Sequence, residues 1–422
     1  MPKGLTVAVV ADDLTGAADT GAQFCAVAGP IRLCPADREA SPDPTGDGGG
    51  LCLFTNSRHD PPETAARKAR KAARRIRRHA PRVVYKKIDS CLRGNIGAEA
   101  DAMVEALGCR AGFIAPALPG QGRTTENDVH LVGGVPVGES DVARDPLCPV
   151  TESRLSRRVA AQSRFRVGHL GLSDVAAGPE RLREAVRTLL DQGCRHVVFD
   201  AVEDGHLDAV AAAADGFPGG VLLVGSAGLA ARQAARLRKA GTPAEPHCGE
   251  RLHRALWVCG SASALAARQI EVLAGRAGVA PLVLAADRLA APAGRGDAVE
   301  RAAAGWTRGV RLLAVSPPGS VGPAADPGAV AEGLARVASE VASRASPDGI
   351  FLTGGDTAEA VWRRLGALGI RLDGEILPGV IRGRWIGGAM DGCTVVTKAG
   401  AFGHPETLLE LFQTLMERQA TR

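Results

Sequence analysis

Asp12 and Asp13 stand side by side where an apolar run, Leu5 to Ala11, breaks off in VADDLTGAADT. Carboxylates beyond the carboxyl end of a strand can face a ligand cleft, because open α/β sheets bind ligands there. One that faces a hydroxyl can orient it or take its proton. Adjacent side chains on an extended chain point opposite ways. One acid is therefore expected to face the ligand and the other to cap a helix starting near Gly16. The plainer reading is two helix-start acids without chemistry.

A second cluster lies in YKKIDSCLRGNIG, residues 85–97. Lys87, Asp89 and Arg93 gather between a strand end and a glycine turn, and Glu99 falls in the first turn of the helix that follows. Helix N–H groups together with Lys and Arg make an anion site. Arg58 in TNSR and Arg123 in APALPGQGRTT add cations just beyond other strand ends. Such a set suits a small acid. Three glycine turns come later: CGSAS with Ser261, TGGDTA with Gly354, Gly355, Asp356 and Thr357, and TKAGAFG with Gly400. Glycine lets backbone N–H groups approach phosphate closely. Together the turns point to a nucleotide. Neither the P-loop pattern G-x-x-x-x-G-K-[ST] nor G-x-G-x-x-G after a strand is present, which excludes a P-loop protein and counts against a dinucleotide dehydrogenase.

Alternating elements must position these residues. Strands are expected at Leu5–Ala11, Leu51–Phe54, Val83–Tyr85, Gly112–Ala115, His196–Phe199 and Val221–Val224, with helical spacing between many of them. A composition break at 241–250 precedes a second series: Ala255–Val258, Pro281–Leu284, Leu312–Val315, Gly349–Leu352 and Thr394–Thr397. This alternation predicts α/β architecture in two domains, 1–240 and 251–422, each a largely parallel sheet flanked by helices. The Pro-, Asp- and Gly-rich stretch 36–50 reads as a long surface loop.

The totals exclude several classes. With 422 residues, 45% hydrophobic and 23% charged, the chain is globular and long enough for two cores. A net charge of +5 is mild and does not demand nucleic acid or a membrane. No apolar run spans a bilayer, and no signal peptide is seen, so a cytoplasmic protein is expected. The ten cysteines form no C-x-x-C pair and read as small buried hydrophobes. His247, Cys248 and His253 match no zinc spacing. The run ETAARKARKAARRIRRHAPR, residues 63–82, raises a nucleic-acid reading. Yet Ala65, Ala69, Ala72, Ala73 and Ile76 recur at helical spacing and no aromatic residue interleaves, so a helix packed through alanines is expected.

Taken in order, ADDLTGAADTGAQF, KKIDSCLRGNIGAE, APALPGQGRTTENDVHLVGGVPVGES, DPLCPVTES, VGSAGLA, TGGDTA and TKAGAFG resemble the signatures of the four-carbon acid sugar kinases over nearly the whole chain. The resemblance implies an N-terminal substrate domain, a C-terminal nucleotide domain and an active site in the cleft between them. It implies ATP-dependent phosphorylation of the terminal hydroxyl of a four-carbon sugar acid, D-threonate by preference, with D-erythronate or a 3-oxo-tetronate as alternatives. Ser261, Gly354 to Thr357 and Gly400 would hold ATP. Asp12, Arg58, Asp89 and Arg93 would line the substrate site, joined on residue grounds by Lys87 and Arg123. Asp13 or Asp12 would act on the hydroxyl. Mg²⁺ is expected with ATP, its ligands unassigned. The partners implied are a small sugar acid and ATP, without nucleic acid or membrane, and a homo-oligomer is left open. Cys91 departs from the threonine usual in the family. The rival classes are a non-catalytic sugar-acid-binding module and a nucleic-acid-binding protein using residues 63–82.

Overall fold

The computed structural model describes residues 5–38, 49–145, 147–217, 220–238, 250–261, 263–291, 295–315, 326–400 and 402–416. The expected break at 241–249, with His247 and Cys248, and most of the 36–50 loop lie outside them. The chain divides into two compact units, Met1–Ala244 and Glu245–Arg422.

The first unit opens with β1 (Val7–Ala11), α1 (Leu14–Ala28), β2 (Ile31–Pro35), β3 (Gly50–Phe54), α2 (Pro62–Arg77), β4 (Val83–Lys87), α3 (Ile96–Leu107) and β5 (Ala111–Ala115). A small antiparallel sheet follows, made of β6 (Arg123–Glu126), β7 (Val129–Val132) and β8 (Val135–Pro136). The unit ends with α4 (Leu155–Ala160), β9 (Arg166–Leu170), α5 (Leu172–Ala176), α6 (Pro179–Asp191), β10 (Cys194–Phe199), α7 (Asp204–Ala214), β11 (Val221–Gly225) and α8 (Ala227–Leu237). Its main sheet has the order β2-β3-β1-β4-β11-β5-β10-β9, and every pairing is parallel.

β1 is central, with β3 on one side and β4 on the other. All five of its residues are buried, as the unbroken VAVVA demands of a strand covered on both faces. The chain winds outward through α1 in one direction and through α2 in the other. Right-handed crossovers put those helices on opposite faces. The carboxyl end of β1 is thus a topological switch point. Ala8 and Val10 of β1 share a core with Ala69, Ala72, Ala73 and Ile76 of α2.

The alanine stripe therefore packs as its spacing predicts. The cations of α2 find partners within the chain. Lys68 pairs with Asp60 at 2.7 Å, Arg70 with Glu105 at 3.4 Å, and buried Arg75 donates to the Arg38 carbonyl at 3.1 Å.

The second unit contains β12 (Arg254–Cys259), α9 (Ala264–Ala277), β13 (Pro281–Leu284), α10 (Ala286–Ala290), α11 (Arg295–Ala303), β14 (Gly309–Val315), α12 (Pro327–Ala345), β15 (Gly349–Thr353), α13 (Gly355–Leu365), β16 (Gly369–Leu377), β17 (Val380–Ile386), β18 (Thr394–Lys398) and α14 (Thr407–Met416). Its strands follow the order β13-β14-β12-β15-β18-β17-β16. The first five are parallel and the last two antiparallel. β12, first in sequence, is again flanked on both sides, by β14 and β15, so its carboxyl end is a second switch point. Trp257 and Phe351 pack at 4.9 Å between ring centroids in its core.

Every strand expected from an apolar run is present. β2, β9, β16 and β17, and the small sheet of β6, β7 and β8, were not expected. β9 is an edge strand, and β16 and β17 alternate apolar residues with Arg, Asp and Gly, so none of these three shows a continuous run. Of the cysteines beside apolar runs, Cys52, Cys194 and Cys259 are buried and Cys25 is half-buried, and none of the four is in a disulfide.

The packing of α2 sets a test. Ala72→Leu should overpack the stripe and destabilise by about 1–3 kcal/mol. Arg70→Gln should cost under about 1 kcal/mol, because its ion pair is half-exposed. Urea midpoints that fall equally for both would contradict this packing.

Candidate active site

The switch point of the first unit assembles the cluster from three strand ends. β1 supplies Asp12 and Asp13, β3 leads to Arg58, and β4 ends at Lys87 and continues to Asp89 and Arg93. Lys87 and Arg93 thus belong to one strand end, not two.

Arg58 binds Asp12 with two prongs, Nε to Oδ2 at 2.8 Å and Nη2 to Oδ1 at 3.0 Å. The same guanidinium reaches Asp13, Nη1 to Oδ2 at 3.1 Å and Nη2 to Oδ1 at 2.8 Å. Asp13 is also the N-cap of α1. It accepts from the Gly16 N–H at 3.1 Å and from the Thr15 hydroxyl at 2.8 Å. The expected division therefore holds only in part: Asp13 does cap the helix, but both acids converge on one arginine.

The two acids differ in spare capacity. A carboxylate has about four acceptor positions. Asp13 accepts three hydrogen bonds and has one further ion contact, while Asp12 accepts two hydrogen bonds. Gly94, at φ +89, brings no side chain against Asp12 Oδ2, which already accepts from Arg58 Nε: a Cβ there would come within 3.1 Å of that oxygen. Burial pushes the Asp12 carboxyl up, but Arg58, helped by Lys86 and Lys87, more than offsets this and holds it below the ordinary range.

Arg93 is engaged by Asp89, through Nε at 2.8 Å and Nη2 at 3.2 Å, and by Asp145, through Nη1 at 3.1 Å. Burial raises the Asp89 carboxyl, and the Arg93 and Arg58 charges overcome it and hold the group ionised. Lys87 differs from these arginines. It is 5% exposed and its charge acts on Asp12 and Asp89. Among the described residues it has no ion-pair partner within 4 Å. Arg123 opens β6, binds the Gln121 carbonyl and stands beside the Cys91 thiol.

Three features beneath this cluster escaped the sequence reading. Lys86, fully buried, meets Glu99 Oε2 at 2.5 Å, and Ser57 donates to Glu99 Oε1 at 2.6 Å. Burial pushes the Glu99 carboxyl up, with Lys86 opposing. The Ser57 N–H in turn binds the Asp12 carbonyl at 3.0 Å, so the pair braces the clamp from below. The signal was there: a lysine one place inside a strand covered on both faces needs a buried acid. Asp145 is the second carboxylate on Arg93. His130 of β7 ties the small sheet to the Ser90 turn, Nε2 to the carbonyl at 2.8 Å, and its Nδ1 lies 3.0 Å from the Thr125 hydroxyl. A carbonyl only accepts, so Nε2 carries a proton; burial, which lowers the imidazole to about 4, keeps the ring neutral near pH 7.

In the second unit the three glycine turns meet. They follow β12, β15 and β18, which are neighbours in the sheet. A Cβ on Gly354, at φ +99, would lie 3.3 Å from the Ser261 nitrogen. One on Gly400 would overlap the Ser261 hydroxyl, and one on Gly260 would overlap Thr357. Gly355, Asp356 and Thr357 form the first turn of α13, the end of a helix that favours an anion. Lys398 and Cys259, the last residues of β18 and β12 on either side of Thr353 of β15, sit under these turns. Burial brings the Lys398 ammonium down to about 8 and pushes the Cys259 thiol up to about 12. A cavity of about 920 Å³ also opens in this unit, lined by His253, Asp348, Arg384 and Cys393, where β15 and β18 begin rather than where they end. It is remote from the turns.

Comparison with known proteins follows the same division. Residues 7–233 match the sugar-binding N-terminal domain and residues 256–408 the nucleotide-binding C-terminal domain of one family. The chain is 33% identical to the D-threonate kinase of Salmonella typhimurium, over 97% of this chain and 98% of that protein. The chain belongs to this family of sugar-acid kinases. It is 30% identical to the D-erythronate kinase of Heliobacterium modesticaldum, over 95% of this chain and 94% of that one. A solved Haemophilus influenzae protein, HI1011, shares the fold with a TM-score of 0.71 at 24% identity, covering 96% of this chain and 99% of that one. No helix among the described residues is long and apolar enough to cross a membrane.

His130 sets a pH test. Burial lowers its imidazole from 6.5 to about 4. Between those values the unfolded chain binds the proton and the folded one does not, so stability falls as pH drops. The loss attributable to this ring is about 3 kcal/mol from pH 7 to pH 4. Urea unfolding of His130→Gln should show a shallower acid limb in that window. An unchanged slope would contradict a neutral, buried ring.

Proposed function

We propose that the chain transfers the γ-phosphoryl group of ATP to the terminal 4-hydroxyl of a four-carbon sugar acid, D-threonate by preference. The observation that carries this is the Arg58 clamp, which grips two carboxylates and holds Asp12 ionised at a switch point among further cations. D-Threonate is preferred because that relative is the more similar of the two compared, 33% against 30%. D-Erythronate and a 3-oxo-tetronate remain the alternatives.

The roles follow from the contacts. Asp12 accepts the hydrogen bond of the attacking hydroxyl on the acceptor position that Arg58 leaves at Oδ2. Its lowered proton affinity makes it an orienting group more than a strong base, which suits phosphoryl transfer, where the transition state is loose and positioning dominates. The hydroxyl oxygen bonds to the γ-phosphorus, the bond to the β-phosphate oxygen breaks, and the hydroxyl proton departs along the Asp12 hydrogen bond. Asp13 caps α1 and shares Arg58. Lys87 meets the substrate carboxylate, and Arg93, held by Asp89 and Asp145, shapes the turn beside it. Arg123 bounds the same turn. Ser261, the turn from Gly354 to Thr357, and Gly400 hold the nucleotide.

Mg²⁺ fits this chain in a limited way. The described residues hold no cluster of three or more His, Cys, Asp or Glu suited to a metal. Mg²⁺ needs none, since it takes one or two carboxylates and the substrate phosphates. Asp356, exposed in the first turn of α13, is the carboxylate in place for it. When bound, the ion neutralises phosphate charge.

ATP consumption should be screened against D-threonate, D-erythronate, a 3-oxo-tetronate and a neutral tetritol, with NMR locating the new phosphate. The expected result is the highest kcat/KM for D-threonate and phosphate on C4. A higher value for another acid would move the substrate assignment, and turnover of none would sink the reading. Lys87→Met should raise the sugar-acid KM by about 10- to 100-fold, the loss of one charge-assisted hydrogen bond, with the ATP KM little changed. Arg93→Lys should mainly lower the melting temperature, because Lys cannot reproduce the two-pronged bond to Asp89. The reverse pattern would exchange the two roles.

A further inference from the structure

The loop after β18 has its carbonyls tied down. Lys398, 1% exposed, donates from Nζ to the carbonyls of Ala399 at 2.9 Å, Gly400 at 3.4 Å and Phe402 at 3.0 Å. Gln269 of α9, fully buried, donates from Nε2 to the carbonyls of Phe402 at 3.1 Å and His404 at 3.0 Å. The Ser263 hydroxyl, at the N-cap of α9, donates to the Gly400 carbonyl at 3.0 Å. Four carbonyls of residues 399–404 thus face three side-chain donors from two elements. In a planar trans peptide the C=O and N–H point opposite ways. With the Ala399 carbonyl turned onto Lys398, the Gly400 N–H is aimed away from it. Gly400 also abuts Ser261 so closely that no side chain fits between them.

We propose that Lys398 and Gln269 are positioning residues for the nucleotide. They draw the loop carbonyls inward so that its amides are presented to the phosphates beside Ser261, and neither side chain contacts ATP. This rests on the reading that the second unit binds ATP. A buried ammonium is a better holder here than a neutral group because it offers three donors at once. Its charge is then spent on backbone carbonyls rather than on phosphate.

Calorimetric titration of ATP into the full chain, with steady-state kinetics, tests this. Lys398→Met should weaken ATP binding at least tenfold and leave the sugar-acid KM within about twofold. Lys398→Arg should recover part of the loss. Gln269→Leu should weaken ATP binding in the same direction, and this is the deciding variant: glutamine carries no charge, so its loss acts only through the loop. Folded Lys398→Met protein with unchanged ATP affinity would overturn the proposal. So would a large loss in Lys398→Met with none in Gln269→Leu, since Lys398 would then be touching phosphate directly. If Lys398→Met does not fold, Gln269→Leu decides alone. A Gly355→Val protein that still turns over the sugar acid and binds ATP undiminished would refute the underlying site, not the loop argument.

Discussion

Two carboxylates at the end of a buried strand repel each other and resist burial, and one guanidinium makes the arrangement possible. Arg58 reaches Asp12 through two nitrogens and Asp13 through two contacts more. The rest of the first unit serves that contact. β1 and β3 run parallel in register, so the residues after them leave the sheet together. The Lys86–Glu99 pair and Ser57 fix the backbone below, and a buried pair of this kind is costly to break by removing one partner. Gly94 keeps a side chain away from the Asp12 oxygen that Arg58 Nε also contacts. A lone Asp12 at this depth would take up a proton; clamped, it stays a carboxylate and can orient a hydroxyl.

The second unit solves a related problem with the opposite charge. On the proposed reading, phosphate would meet backbone amides, and amides face a ligand only if their carbonyls are satisfied elsewhere. Three turns at neighbouring strand ends do this with close glycine contacts, helix starts and buried donors. Both units place their sites by the same rule: the first strand in sequence ends up flanked on both sides, and its carboxyl end becomes the switch point.

Much of this was legible in the residues. VAVVA, GLCLF and GIFLT are covered on both faces and read as continuous apolar runs, so the parallel strands could be found. Asp12, Asp13, Arg58, Lys87, Asp89 and Arg93 were each visible as polar residues just past such runs, and the fold brings them together. What could not be read was who pairs with whom. Arg93 and Arg58 looked like free cations for a substrate acid, yet each spends most of its donors on the chain's own carboxylates. Pairing depends on distances across the sheet, which sequence spacing does not encode. Lys86 and Lys398 were missed because lysine inside an apolar strand reads as its polar end. The β16–β17 hairpin was missed because Arg and Gly interrupt its apolar residues.

The central claim is that Asp12, and not its neighbour, orients the hydroxyl. The most direct measurement is single-turnover phosphoryl transfer to D-threonate by Asp12→Asn and Asp13→Asn, with binding of both substrates measured separately. Asparagine keeps the helix cap at residue 13, so Asp13→Asn should retain transfer within about tenfold. Asp12→Asn should slow transfer by about 10²–10⁴-fold, the range for a positioned acid–base group, with both substrates still bound. Equal losses in the two variants, or the larger loss in Asp13→Asn, would contradict the account.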